Sequence, residues 1–151
     1  MEDNKFAAVG GIVLRGGCVL LVRHTYGSAA GKLLNPSGML KQGELPHDAL
    51  RREIMEEAGV EIEPKGLLAI RCSVKDWWMI FLANHVSGEP RPDNNETSEA
   101  LFIPCDEALT RPDVTDATKE LIRLAGEGRV MRVNERYAAF PSSDGRVMYS
   151  V

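Results

Sequence analysis

Glu53, Glu56 and Glu57 stand at i, i+3 and i+4, a spacing that puts three carboxylates on one flank of a helix. Like charges so placed repel by about 0.2–0.5 kcal/mol per pair, and the neighbouring bases, Arg51 and Arg52, offset this only in part. Two readings follow. One is an ordinary solvated acidic face. The other is a site for a hard divalent cation with oxygen ligands, Mg²⁺ or in its place Mn²⁺, which reverses the sign of the repulsion. Such an ion brings hydrolytic chemistry, because a water bound to it becomes nucleophilic near neutral pH.

The helix that must carry these groups is defined by its own punctuation. Pro46 suits a first helical turn, where its missing N–H has no partner to lose, and Asp48 puts negative charge near the positive end of the helix. Leu50, Ile54 and Ala58 recur every four residues as an apolar stripe, and Gly59 can close the last turn in the left-handed conformation. The glutamates lie beside this stripe, at the edge of a cleft.

Around the helix the specified positions extend further. Gly38 is followed by five free positions, Glu44, seven free positions, Arg52-Glu53, apolar Ile54, one free position, Glu56-Glu57, one free position, Gly59 and apolar Val60. At every specified position this stretch resembles the signature box of the Nudix hydrolase family. The resemblance implies an α/β fold, an α/β/α sandwich around a mixed β-sheet. It also implies Mg²⁺-dependent hydrolysis of a pyrophosphate bond in a nucleoside diphosphate linked to another moiety. Carried onto this chain, Arg52, Glu53, Glu56 and Glu57 are the catalytic residues. Gly38 through its carbonyl, together with Glu53, Glu56 and Glu57, holds the metal. Arg52 pairs with Glu44 to orient the site, and Glu44 and Gly59 are structural parts of the box. Downstream, Glu96 and Glu99 precede an apolar strand, resembling an acidic feature from which many Nudix enzymes reach back to the metal. The general base is Glu53 or one of these two loop carboxylates. Ser37 stands where the family more often has glycine.

For the substrate, Arg23 and Arg71 supply cations and Trp78 an aromatic face. ADP-ribose-cleaving members carry a proline some way past the box, and residues 66–78 contain none. A nucleoside di- or triphosphate is therefore the first expectation and a dinucleotide polyphosphate the second. A domain that binds nucleotide or a regulatory partner without hydrolysis is the reading from another class, though such domains commonly lack box carboxylates and this chain retains them all.

The chain has 151 residues, 44% of them hydrophobic, enough for one substantial core. A formal charge of -4 and a pI near 5.4 argue against a basic nucleic-acid footprint over the whole surface. No apolar run reaches membrane-spanning length and the first residues show no targeting pattern, so a cytoplasmic protein without a membrane or specific nucleic-acid partner is expected. Cys18, Cys72 and Cys105 are odd in number and far apart, fitting reduced thiols in a core.

Apolar runs at residues 6–14 and 18–22 flank Arg15-Gly16-Gly17 and predict a hairpin, and a second is predicted from residues 66–74 and 77–83. In the second, the adjacent Trp77 and Trp78 must point to opposite faces. Residues 27–32 superficially resemble a phosphate-binding loop but have three residues where four are required between the glycines, and read as a mobile loop that could border the cleft. A short strand is expected over residues 100–103. Thr115 should cap a helix through Ala125, with Ala117, Leu121, Ile122 and Ala125 buried and Gly126 as its stop, on the sheet face opposite the box helix. Residues 1–128 then form the Nudix domain. Residues 129–151 form an additional C-terminal β-hairpin, from 130–137 and 146–151 around a turn at 141–145, with one apolar face. That face packs on the same domain or on a second subunit of a homodimer.

Overall fold

The computed structural model describes residues 3–141 and 144–151. In chain order the elements are β1 (Asp3–Arg15), β2 (Cys18–His24), β3 (Leu33–Leu34), β4 (Ser37–Lys41), α1 (Pro46–Ala58), β5 (Glu61–Cys72), β6 (Trp77–Ser87), β7 (Thr97–Pro104), α2 (Cys105–Thr110), α3 (Asp116–Glu127), β8 (Arg132–Val133), α4 (Glu135–Ala138) and β9 (Tyr149–Ser150). Strands β1 to β7 make one mixed sheet in which β3, β2, β1, β6 and β5 are successive neighbours, while β4 pairs with β1 and β7 with β2. Both expected hairpins are present. The first pairs Leu14 with Val19 and Arg15 with Cys18, and then its strands splay apart. Past that point β1 takes β4 as its antiparallel partner, Val9 opposite Gly38, and β2 takes β7.

Period-two alternation sorts the strands into two cores. Val9, Val13, Leu20 and Val22 face α1 and meet Leu50, Ile54, Ala58 and Phe81, whereas Ile12, Val19, Leu21 and Ile80 face α3 and meet Ile122 and Ala125. The α/β/α layering follows, with α1 docked through its expected stripe. Gly59 ends α1 as anticipated, at φ 70° with its N–H on the Met55 carbonyl.

Several expectations need correction. Helix α3 is capped by Thr115 but continues through Gly126 to stop at Gly128, which takes the left-handed conformation. Ala117 is exposed, and Thr118 takes its place in the buried stripe by exchanging hydrogen bonds with Asn35. Helix α2 was not foreseen, and β7 is longer than the short strand expected. Cys72 is exposed, so of the three free thiols Cys18 and Cys105 alone approach the core. The loop read as mobile is tied down by its own backbone: Ala30, Gly31 and Lys32 donate to the carbonyls of Gly27, His24 and Ala29. Those N–H groups are spent internally and form no phosphate cradle.

A C-terminal hairpin is present, β8 against β9, but it is two residues per strand. Residues 135–138 turn into α4 because the Asn134 side chain caps the Tyr137 N–H, and Ser142 and Ser143 of the expected turn lie outside the described residues. Met131 and Tyr149 of this segment pack against the α1-side core, while Val133 and Met148 stay exposed. Met131 exchanges two backbone hydrogen bonds with Leu67, and Tyr149 packs edge-on against Phe81, 5.5 Å between centroids, with its hydroxyl 2.9 Å from His47 Nδ1. Among the described residues no helix is long and apolar enough to cross a membrane.

Candidate active site

Helix α1 places its glutamates in three different environments. Glu57 is 2% exposed and Glu53 9%, both wedged between α1 and β4, whereas more than half of the Glu56 side chain is in solvent. The buried Glu57 carboxylate accepts the Ser37 backbone N–H at 3.1 Å. Because that donor is main chain, serine serves where the family has glycine. Burial pushes the Glu57 carboxyl up to about 8, the Ser37 hydrogen bond opposing and the charges of Glu53, Glu96 and Asp93 adding to it. Burial also pushes Glu53 up, against the pull of Arg52.

Arg52 organises the other side of the cluster. Its Nε and Nη2 make a bidentate pair with Glu44, both at 2.8 Å, and Nη2 also donates to the Met39 carbonyl. Its Nη1 donates to Glu53 at 2.8 Å and reaches Glu56 at 3.4 Å. The guanidinium therefore holds the Glu44 carboxyl below its ordinary range. The expected pairing of Arg52 with Glu44 is thus in place.

Gly38 is the floor of the site. A Cβ there would overlap the Glu53 carboxylate, so only glycine lets that side chain lie against β4. Gly38→Ala is expected to displace Glu53 and lower kcat/KM by about 100-fold, the scale of a misplacement near 1 Å in a reacting constellation. The assay is steady-state kinetics beside a thermal melt that stays cooperative; unchanged kinetics would show that Glu53 need not lie there.

The donor set fits a hard cation. Glu53, Glu56, Glu57 and the Gly38 carbonyl all offer oxygen donors, and two of the carboxyls are buried where their ionised form is disfavoured until positive charge is added. Among the described residues no three acidic, histidine or cysteine side chains already converge as a cage, and Arg52 Nη1 stands between Glu53 and Glu56.

Of the two downstream glutamates, the structure brings Glu96 to the cluster, where its charge acts on both Glu53 and Glu57. Glu99 goes elsewhere. Strand alternation turns Arg23 and its partner Glu99 to the α3 side, where Arg23 Nη2 bonds Glu99 and Asp113, each at 3.1 Å, and Nη1 bonds the Gly31 carbonyl. Arg23 is thereby committed to two carboxylates and a carbonyl. Trp78 packs on the α3 core with the Arg71 guanidinium 5.3 Å from its ring, and Arg71 also bonds Asp76. Trp77, 51% exposed, leans on Phe6, so the two tryptophans do face opposite ways. None of the three substrate candidates, Arg23, Arg71 or Trp78, makes a described bond to the box glutamates.

Residues passed over in the sequence tie the site together. Asp93 accepts hydrogen bonds from Asn95 N, Thr97 N and Thr97 Oγ1, and Thr97 Oγ1 also lies 3.0 Å from the Glu57 carbonyl. Arg91 N bonds the Ala58 carbonyl. The Glu96 loop is thus bolted to the last turn of α1. The Asp-Asn-Asn run was a signal for this tight turn, since Asn94 takes φ 61°, where asparagine is tolerated. Tyr26 was missed too; its hydroxyl is pushed up by burial and then by the charges of Glu96, Glu57, Glu53 and Asp93.

An α/β/α sandwich with buried glutamates on a glycine-stopped helix, clamped by an arginine, defines a phosphoanhydride-hydrolase-like site, and comparison gives its family. The family model for the NUDIX domain matches residues 4–125, so the chain belongs to the Nudix family. It is 32% identical over 84 residues to human 8-oxo-dGDP phosphatase NUDT18, covering 55% of this chain and 26% of that one. To Nudix hydrolase 2 of Arabidopsis thaliana it is 27% identical over 147 residues, 87% of this chain and 52% of that protein. The chain therefore spans about a quarter to a half of the length of these curated relatives. Among solved structures, a MutT NUDIX hydrolase from Burkholderia pseudomallei matches with TM-score 0.70 and 26% identity, over 81% of this chain and 98% of that one.

Proposed function

We propose that this protein hydrolyses a pyrophosphate bond in a nucleoside diphosphate derivative, with nucleoside di- and triphosphates as its first substrate class and Mg²⁺, or Mn²⁺, as its cofactor. The observation that carries this reading is the pair of buried glutamates, Glu53 laid against Gly38 of β4 and Glu57 held by the Ser37 N–H, beside the Arg52–Glu44 clamp. Glu53, Glu56, Glu57, Glu96 and the Gly38 carbonyl would hold the cation. When bound, the cation neutralises pyrophosphate oxygens and makes water more acidic. In the reaction, water oxygen attacks one phosphorus, the bridging P–O bond breaks, and the proton of the water passes to a carboxylate. Glu53 is the first choice as that base, because Arg52 fixes its orientation and burial raises its carboxyl above the ordinary range; Glu96 is the other. Glu99 leaves the set, being engaged by Arg23. Cytoplasmic placement belongs to the same proposal and is supported by three free cysteines.

The name of the human relative brings an oxidised nucleoside diphosphate into consideration. The test is a substrate panel with Mg²⁺, containing nucleoside di- and triphosphates, 8-oxo-dGDP, dinucleotide polyphosphates and ADP-ribose, ranked by kcat/KM. Preference for a nucleoside di- or triphosphate is expected. Preference for ADP-ribose overturns the substrate ranking, and thermal stabilisation by nucleotides with no product released overturns hydrolysis itself.

A further inference from the structure

The strand candidates for substrate contact are committed to other partners, yet an aromatic face does stand beside the carboxylates. Tyr26 lies in the loop between β2 and β3, and its ring stacks on that of His24 with 5.4 Å between centroids and 9° between planes. The residue is 53% exposed. An open tyrosine face adds nothing to the core, and the other exposed aromatics are differently occupied: Trp77 leans on Phe6, and Phe140 packs edge-on with Tyr137.

The position of this pair is built, not incidental. Thr25, between the two rings in sequence, donates its N–H to the Glu96 carbonyl at 3.0 Å and its hydroxyl to the Asn95 carbonyl at 2.6 Å. The His24 carbonyl and N–H are held by Gly31 and Lys32. The aromatic pair and Glu96 therefore ride on two loops zipped to each other, and the Glu96 loop is in turn bolted to α1 through Thr97 and Arg91. His24 provides backing only: its Nε2 is enclosed and has no hydrogen-bond partner among the described residues.

We infer that Tyr26 is a base-stacking residue of this site, its ring backed by His24 and offering an open face to the nucleobase while the box glutamates take the pyrophosphate end. This rests on the nucleotide reading proposed above. A planar heterocycle joined to a polyanion matches an open π-face beside a cation-binding cluster. Stacking of this kind is tolerant of base identity, since every base has a π-face.

The experiment compares wild type, Tyr26→Phe and Tyr26→Ala in two measurements: kcat and KM with a nucleoside triphosphate and Mg²⁺, and Kd for a methylene-bridged, non-hydrolysable analogue. Tyr26→Ala should raise KM and Kd by about 5- to 150-fold, the range set by one base–aromatic stack, and leave kcat near wild type. Tyr26→Phe should match wild type in both. An unchanged Kd in Tyr26→Ala overturns the inference, as does equal impairment of Tyr26→Phe, which would assign the effect to the hydroxyl. If wild type binds the analogue, loses that affinity in Tyr26→Ala, but hydrolyses nothing, the stacking role stands and the catalytic reading fails. If wild type does not bind the analogue, both fall.

Discussion

Replacing Glu57 by Gln is expected to lower kcat by about 10²- to 10³-fold, the scale of removing one preorganised charged or polar group from a water-poor site. Glutamine keeps the shape of the side chain and still accepts the Ser37 N–H, so α1 stays docked on β4. What disappears is the anion, and with it an oxygen ligand for a hard cation. Kinetics on the best substrate of the panel, at saturating Mg²⁺, measure the loss, and a thermal melt shows that the fold is intact. Unaltered turnover in Glu57→Gln would remove this residue from the site and with it the central part of the proposed function.

The same residue should make metal-free protein lose stability as pH rises from 5 to 8. The sign follows from the Glu57 carboxyl, which titrates near 4.5 when unperturbed and is pushed up to about 8 in the fold. Between those values the folded state holds a proton that the unfolded chain has released. Its stabilising contribution is full below pH 4.5 and is lost as pH climbs through about 8. At 1.36 kcal/mol per unit of pKa difference the loss by pH 7 is roughly 3 kcal/mol. That corresponds to about 6–12 °C in Tm for a chain of this size. Glu53 shifts in the same direction, His24, lowered by burial, opposes it in the lower part of this window and does so equally in both proteins, and Glu44, Asp93 and Asp113 are lowered and act below it. Thermal melts with a chelator present should therefore slope downward with pH in wild type and lie flatter in Glu57→Gln. Added Mg²⁺ should restore wild type at high pH, because a cation favours the ionised pair. Equal slopes for the two proteins, or no rescue by Mg²⁺, would show that burial of Glu57 carries no such cost. The two experiments together separate roles, since one substitution is expected to damage turnover and relieve the fold.

Much of this site is local and was therefore readable from the chain. The stop at Gly59, the start at Pro46 and the four-residue stripe of Leu50, Ile54 and Ala58 depend on contacts within a few turns, so α1 and the common flank of its glutamates follow from spacing alone. Arg52 reaching Glu44 is also local, eight residues apart across one turn. Strand alternation foretold that Trp77 and Trp78 part company. Helix α3 was legible except at its end, where two glycines stand two residues apart and the second, Gly128, takes the left-handed stop.

The division between Glu96 and Glu99 was not local. Arg23 meets Glu99 across 76 residues and Thr25 meets Asn95 across 70, through the pairing of β2 with β7. Within that pairing the register shifts between Arg23 and His24, opposite Glu99 and Thr97. A bulge of this kind re-aims the side chains beyond it, so Arg23 and Glu99 turn toward α3 while Thr97 bonds the end of α1, its loop brings Glu96 to the box, and Thr25 ties the β2–β3 loop that carries Tyr26 to that loop. The sequence by itself determined the catalytic-type helix, its carboxylate flank and the family to which they belong, because those are properties of spacing along one element. Tertiary structure alone decided which carboxylates are buried, which cations are already neutralised and which aromatic ring reaches the site, because each depends on a register between strands that no short stretch of sequence encodes.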